Sequence, residues 1–454
     1  MTDNKSYSCL WLFLLFLLVH QVVKGQAVSS SPSFPGQFLP ATQLRHPLSK
    51  VRAEGANANL FLPYSYYATN LYCTLFTHLD AVAVADFNGD GRNDVALTTS
   101  YISSILVPRP DDGGLYIYYQ DATGKLGAPI RLETSLTLYT RETSIAAGDI
   151  NGDGRADIVL GNYESLQIFT QTPQGKMQPI SMIPTPDAIQ VLIGDVNGDG
   201  RMDVISLGYE ANQMRFAVWM QTSQGQLAPP QRVPIPKIGG GLLALGDLNG
   251  DKRLDVVVTG GGTYGTPDVQ VFLQAADGTF PPPAEYDVDY QGMAGITVGD
   301  LTGDGLDDVV ITYGYHNVNP EPPGLAVLAQ NANHTLDPPR TYRTLDVPQA
   351  VTVADVNHDG RLDVILTHYG WENVGVYVQN TSGQLQPEEL FAIPHNLNGQ
   401  SAQGLTVADI NGDGAGDFIV GAWDETGGAV QSGRVHVYSG RTGALIRSHS
   451  SPNS

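Results

Sequence analysis

A nine-residue run crowded with side-chain oxygens, "DFNGDGRND" from Asp86, returns six more times along the chain. The relatives are "DINGDGRAD" at Asp149, "DVNGDGRMD" at Asp195, "DLNGDKRLD" at Asp247, "DLTGDGLDD" at Asp300, "DVNHDGRLD" at Asp355 and "DINGDGAGD" at Asp409. A motif that recurs roughly every 50 residues is the mark of stacked or radial repeat units, each too small to bury its own apolar face. This periodicity constrains the fold more than any composition does.

The flanks repeat too. Before each run stands a short apolar segment ending in a small residue, as in "AVAVA", "SIAAG", "QVLIG" and "LLALG". After it comes a β-branched run, as in "DVALTT", "DIVLGN", "DVVVTG" and "DVVITY". Such pieces are too short for helices and have the composition of buried strands. A third apolar segment follows, as in "LYIYYQ", "LQIFTQ", "FAVWMQ" and "VGVYVQ", then a Gly-containing turn and a fourth, Pro-flanked stretch. Four antiparallel strands in a unit of about 40 to 50 residues predict a propeller blade. The expected fold class is all-β, a seven-bladed β-propeller with the nonapeptide joining strands 1 and 2 of each blade. Ala or Gly before each leading Asp suits inner strands crowded round a central channel.

Three segments are expected. Residues 1–25 hold the apolar run "LWLFLLFLLV" behind Lys5 and read as a secretory signal, since a bilayer span needs about 20 apolar residues. Residues 26–75 fit no repeat and are expected to latch or cap the ring, and residues 76–454 form the propeller. Only Cys9 and Cys73 occur, so no disulfide forms within the mature chain. The net charge of -22 excludes nucleic acid as an obvious partner, because nothing basic displaces counterions from phosphates. The chain is expected to be secreted or held at a cell surface, without a membrane span, and to act as a monomer.

Within the nonapeptide, Asp at positions 1, 5 and 9, Asn at position 3 and the position-7 carbonyl present hard oxygen donors of the kind Ca²⁺ accepts. Gly at position 6 supplies the positive φ that curls the chain. An EF-hand would need a carboxylate at position 12. That place holds Leu97, Leu160, Ser206, Val258, Ile311, Leu366 and Val420, and strands flank the loop.

With these loops and flanks in view, the chain resembles the FG-GAP or VCBS repeat family, known from integrin α-chain propellers. The last unit, "NGDGAGDFIVGAWDETGGAVQSGRVHVYSGRTG", carries the likeness best, and the resemblance spans about residues 80 to 448. It implies up to seven Ca²⁺ ions, one per loop. The implied ligands are Asp86, Asn88, Asp90, Arg92 (carbonyl) and Asp94 in the first unit, and Asp149, Asn151, Asp153, Arg155 and Asp157 in the second. The third and fourth offer Asp195, Asn197, Asp199, Arg201 and Asp203, then Asp247, Asn249, Asp251, Arg253 and Asp255. The fifth offers Asp300, Thr302, Asp304, Leu306 and Asp308, and the sixth Asp355, Asn357, Asp359, Arg361 and Asp363. The seventh offers Asp409, Asn411, Asp413, Ala415 and Asp417. Lys252 at position 6 and Thr302 at position 3 are expected to make the fourth and fifth sites the weakest, while His358 sits at position 4, taken as tolerant.

If the loops occupy one face, the connections of strands 2 and 3 occupy the other. These carry Tyr101, Tyr163, Tyr209, Tyr264, Tyr313, Tyr315, Tyr369, Trp371 and Trp423. Aromatic rings give large contact area at low entropic cost, and Tyr315, Trp371 and Trp423 stand in the most polar of these loops. The function expected is recognition or adhesion toward a glycan or extracellular protein. The alternative is a polysaccharide lyase or hydrolase using His316 or His368 with Glu321 or Glu372, although no hydrolase, metalloprotease or P-loop motif occurs. "NHT" at Asn333 and "NTS" at Asn380 are N-glycosylation motifs in matching hairpins.

Overall fold

The computed structural model describes residues 65–68, 77–101, 114–134, 144–162, 164–186, 188–210, 213–236, 241–260, 268–288, 292–314, 322–368, 373–392, 402–410, 414–422 and 434–440. The chain divides into Met1–Ala58 and Asn59–Ser454, and every described residue lies in the second unit. The predicted signal and Cys73 fall outside the described residues.

Seven four-stranded antiparallel sheets account for the described strands. In the first, Thr77–Ala85, Asp94–Tyr101, Gly114–Tyr118 and Ile130–Leu132 lie side by side in chain order. The same order repeats in blades whose inner strands are Ser144–Gly148, Gln190–Gly194, Leu243–Gly246, Met293–Gly299 and Pro348–Ala354. The seventh sheet takes three strands in order, Ala402–Ala408, Asp417–Ala422 and Arg434–Tyr438. Its outermost strand is Ser65–Ala68, from ahead of the first blade, registered from Ser65↔Val437 to Ala68↔Arg434. Backbone hydrogen bonds between distant parts of the chain thus complete the last blade. Each inner strand neighbours the next, and the inner strand of the seventh blade lies against that of the first, so the circle closes.

Most middle strands are buried along their whole length, as in Asp157–Asn162, Val269–Phe272 and Asn373–Tyr377, whereas outer strands such as Ala284–Tyr286 are largely exposed. A strand sandwiched between two neighbouring sheets has no polar face. That is why "DVVVT" and its relatives run apolar without alternation. The described apolar residues form cores between adjacent blades rather than one central core. One of them joins Val95, Leu97, Tyr116 and Tyr118 of the first blade to Ile410, Ile419 and Val437 of the seventh. Each fully buried aliphatic side chain contributes about 1.5–3 kcal/mol.

The small residue before each leading Asp lies at the closest approach of inner strands. A Cβ on Gly148 would meet Ile193 Cγ2 at 2.7 Å, and one on Gly246 would meet Val298 Cγ1 at 2.2 Å, each on the inner strand of the next blade. Inner edges also find partners across the seams. Gln190 Nε2 donates to Leu243 O at 2.9 Å while its Oε1 accepts from Leu243 N at 2.8 Å. Thr312 Oγ1 donates to Gln349 O at 2.7 Å. Among the described residues no helix is long and apolar enough to cross a membrane.

Candidate functional site: the aspartate loops and their seams

Each nonapeptide connects the inner strand of a blade to the second strand, so these loops share one end of the sheets. Position 1 organises the loop. In the first blade Asp86 Oδ1 accepts from Gly89 N at 2.6 Å and Asp90 N at 3.1 Å, and Oδ2 accepts from Gly91 N at 2.7 Å. Asn88 Oδ1 accepts from Asp90 N at 2.9 Å. The same bonds recur from Asp149 and Asn151, and from Asp247 and Asn249. So many amides converge because positions 4 and 6 are left-handed, with φ of 77° at Gly89 and 82° at Gly91.

Position 2 is an apolar plug. Phe87, Ile150, Val196, Leu248, Leu301, Val356 and Ile410 are all buried. Position 9 ties the loop to the end of the third strand of its own blade. Asp94 is fully buried; its Oδ2 accepts from Phe87 N at 2.9 Å and its Oδ1 from Gln120 N at 2.7 Å. Asp203, Asp255, Asp308 and Asp363 make the equivalent pair of bonds. Asp417 does the same with Ile410 N and Gly440 N. Burial pushes these carboxyls up, to about 6 at Asp94, Asp203 and Asp308 and to about 7 at Asp157, Asp255 and Asp363. The like charges at positions 5 and 1 push the same way, and the accepted backbone amides oppose them.

Position 7 acts through its side chain as well as offering a carbonyl. Arg92 pairs through Nη2 with Asp90 Oδ2 while its Nε donates to Gln120 O at 3.2 Å. Arg155, Arg201, Arg253 and Arg361 repeat the staple. Leu306 and Ala415 stand in its place in the fifth and seventh loops.

The same glutamines cross to the neighbouring blade. Gln171 Nε2 donates to Asp86 O at 2.9 Å, Gln221 Nε2 to Asp149 O at 2.9 Å, and Gln379 Nε2 to Leu301 O at 2.7 Å. Gln120 Nε2 donates to Ile410 O, joining the first blade to the seventh, beside Asn93 Nδ2 donating to Asp409 O at 2.8 Å. The turn that follows packs on the same loop. A Cβ on Gly175 would lie 2.2 Å from Asn88 O and one on Gly225 2.0 Å from Asn151 O. Gln274 and Gln330 are buried with no partner for either amide atom among the described residues, and nothing lies within 4 Å of the Cβ position of Gly278. On either side of the fourth blade the glutamine contact is thus missing, and between the fourth and fifth blades Asp247 N donates to Asp307 Oδ2 at 2.9 Å and Leu336 N to the Tyr286 hydroxyl at 3.2 Å.

The departures expected to weaken two loops behave differently from each other. Lys252 adopts φ 68° and its N–H still donates to Asp247 Oδ2 at 2.8 Å, so the fourth loop keeps the shape of its relatives. In the fifth, Thr302 Oγ1 is buried without a partner, and neither the Asn acceptor nor the Arg staple is present. Position 4 is no more tolerant than position 6: His358 has φ 60°, in the left-handed region its glycine counterparts occupy.

The donors are hard oxygens throughout, and a carboxylate that accepts amides keeps lone pairs for a cation. Among the described residues, however, no three His, Cys, Asp or Glu side chains are gathered as a metal site. A cation would have to draw the position-5 carboxylate away from its guanidinium. Asn411 and Asp413 lie outside the described residues.

On the opposite end, Tyr313 is buried within a core and Tyr209 packs half-buried against one, so both are packing residues. Tyr315, Trp371, Trp423, His316, Glu321 and Glu372 lie outside the described residues. His368 does not face solvent: its side chain is fully buried, with Nε2 2.6 Å from Glu388 Oε1. Glu388 Oε2 accepts in turn from Leu345 N at 2.8 Å. A substrate has no access to this histidine, and its position in the interior corrects its reading as a surface catalytic group. The seam glutamines went unread as functional, although each third segment quoted above ends in Gln; only the neighbouring blade gives that letter its role.

Fold and loops together define a closed seven-bladed β-propeller whose blades are joined by aspartate loops. The description "FG-GAP-like repeat" matches residues 86–160, 149–206, 195–258, 247–311 and 355–420, and the chain belongs to this family. No curated protein sequence matches the chain. Among solved structures it is similar to BBS1N, crystallised in complex with ARL6DN, at 10% identity and TM-score 0.52, covering 85% of this chain and 100% of that one. It is also similar to the rhamnogalacturonan lyase YesW at 13% identity and TM-score 0.49, covering 86% of this chain and 76% of that one. The Bacillus licheniformis rhamnogalacturonan lyase PL11 gives 13% identity and TM-score 0.48 over the same shares. At 10% identity the likeness to BBS1N is one of fold.

Proposed function

We propose that the chain is an extracellular, calcium-binding recognition module that holds a glycan or a protein partner on the face opposite the aspartate loops. One observation carries this reading. The loops on one end repeat closely, with their side chains taken up inside each loop and blade and their backbone carbonyls in the seams, whereas the connections of strands 2 and 3 differ from blade to blade. They span residues 102–113 in the first blade, 163–164 in the second, 314–323 in the fifth and 423–433 in the seventh. A scaffold repeats, and a recognition surface varies.

Calcium fits as a structural ion. Positions 1, 3, 5 and 9 with the position-7 carbonyl would hold it, and it would neutralise carboxylates that otherwise repel one another. The recognising groups we name are Tyr315, Trp371 and Trp423. A glycan array and an extracellular-protein array, each run with calcium and with chelator, test the reading. The expected ligand is lost on Trp371→Ala or Trp423→Ala with melting unchanged. Turnover of an acidic polysaccharide by the folded chain would overturn it in favour of an enzyme.

A further inference from the structure

The hairpins joining strands 3 and 4 present two N-glycosylation motifs in places that are not equivalent. In the fifth blade the turn is organised by Asn331. Its Oδ1 accepts from Asn333 N at 2.9 Å and from Thr335 Oγ1 at 3.1 Å, and its Nδ2 donates to Asp337 Oδ1 at 2.7 Å. The backbone closes the turn from Asn331 N to Thr335 O at 3.0 Å and from His334 N to Asn331 O at 2.8 Å. Asn333 stands at the tip, exposed, and its side chain is spent on none of these bonds. His334 takes φ 59° where the matching turns have Gly124, Gly175, Gly225, Gly278 and Gly383 at φ between 70° and 80°. A left-handed non-glycine residue costs about 1–2 kcal/mol, so this one turn carries the motif Asn-His-Thr at the expense of its glycine.

Asn380 is placed otherwise. It occupies the position of Asn331 and is half-buried. Its Oδ1 accepts from Ser382 N at 2.8 Å, Ser382 Oγ at 2.6 Å and Gln384 N at 3.1 Å. The turn around it rests on the preceding blade, with the Cβ position of Gly383 3.0 Å from Thr302 O. Its amide is the pivot of a packed turn, with the motif's own hydroxyl bound to it.

We propose that Asn333 is an acceptor for an N-linked glycan and that Asn380, despite matching the same motif, is a structural turn residue that carries none. In the transfer, Nδ2 of Asn333 forms a bond to the anomeric carbon of a lipid-pyrophosphate-linked oligosaccharide. The bond from that carbon to the pyrophosphate oxygen breaks, the lipid pyrophosphate leaves with the electron pair, and the amide proton passes to base. The inference rests on the extracellular reading above. The glycan stands beside the fourth aspartate loop, since His334 Cε1 lies 4.0 Å from the Cβ position of Gly250. It would cover that sector of the loop face and leave the opposite face free.

The test is site-resolved mass spectrometry of the full chain secreted from a eukaryotic host, before and after peptide N-glycosidase. One version carries its own first 25 residues and a second a substituted secretory leader. The expected result is one enzyme-sensitive shift at Asn333, lost in Asn333→Gln and in Thr335→Ala and kept in Asn380→Gln. An unmodified Asn333 in the secreted chain with the substituted leader overturns the proposal, as does any glycan at Asn380. Modification only with the substituted leader upholds Asn333 as an acceptor and counts against the extracellular reading instead.

Discussion

Two turn glycines with nearly the same backbone separate the cost of a left-handed residue from the cost of opening a seam. Gly225 and Gly278 have φ of 70° and 80° in matching hairpins. Alanine at Gly278 meets nothing within 4 Å, so it bears only the left-handed penalty, about 1–2 kcal/mol. Alanine at Gly225 places its Cβ 2.0 Å from Asn151 O, a backbone atom. Ordinary contact needs more than about 1 Å of retreat. That retreat carries the hairpin off the second blade's loop and breaks the bond from Gln221 Nε2 to Asp149 O, now 2.9 Å. A buried partner left unsatisfied costs about 1–3 kcal/mol, so Gly225→Ala should lose about 2–5 kcal/mol in all. Equilibrium urea denaturation of both variants reads the difference. Gln221→Ala combined with Gly225→Ala should cost less than the sum of the two, because both act on one seam. Equal losses for the two alanine variants, or strict additivity in the double variant, would refute the role given to these hairpins.

Other outcomes follow from the loops and the interior. Chelation should lower the melting temperature, since millimolar calcium on sites with dissociation constants of about 10⁻⁴ to 10⁻³ M stabilises each by roughly 0.4–1.4 kcal/mol; identical melting with and without chelator would remove calcium from the account. In chelator, lowering the pH from 8 toward 5 should raise the melting temperature. The position-9 carboxyls have folded values of about 6 to 7, above the ordinary 3.8, so the folded state takes up protons first and their destabilising charge is relieved. With calcium bound the same acidification should lower it, and scans that do not diverge in sign would count against the linkage. Lys252→Gly should stabilise by up to about 1 kcal/mol by relieving a left-handed lysine; a loss on denaturation would contradict this. Glu388→Ala should destabilise by about 1–3 kcal/mol, because it leaves the buried His368 Nε2 without its partner. Ligand binding by the chain that remains folded should not change, and a selective loss of binding would return His368 to the functional face.

Much of the fold was legible because a seven-fold repeat averages out local ambiguity. One apolar run such as "DVVVT" fits a buried strand or a helix segment, but in register before and behind an aspartate loop it can only be a strand. The loop's inner hydrogen bonds were legible for the same reason: Asp at position 1 and glycine at position 6 are both local requirements of one turn. His358 and Lys252 show where local reasoning stops. Both sit in left-handed backbone, and a sequence does not say which non-glycine residues the surrounding bonds will force there.

The sequence by itself determined the number of blades, the strand order of the first six and the position of the aspartate loops, because those depend on residues close in the chain. Only the tertiary structure decided what the loops are joined to. Position-9 aspartates clamp a loop amide to the amide that follows the third strand of the same blade, glutamines ending the third strands reach the loop of the neighbouring blade, and Gln120 meets Ile410 to close the ring. It also decided that His368 is interior. These contacts link residues tens to hundreds of positions apart, and no local propensity encodes a partner that only ring closure brings within reach.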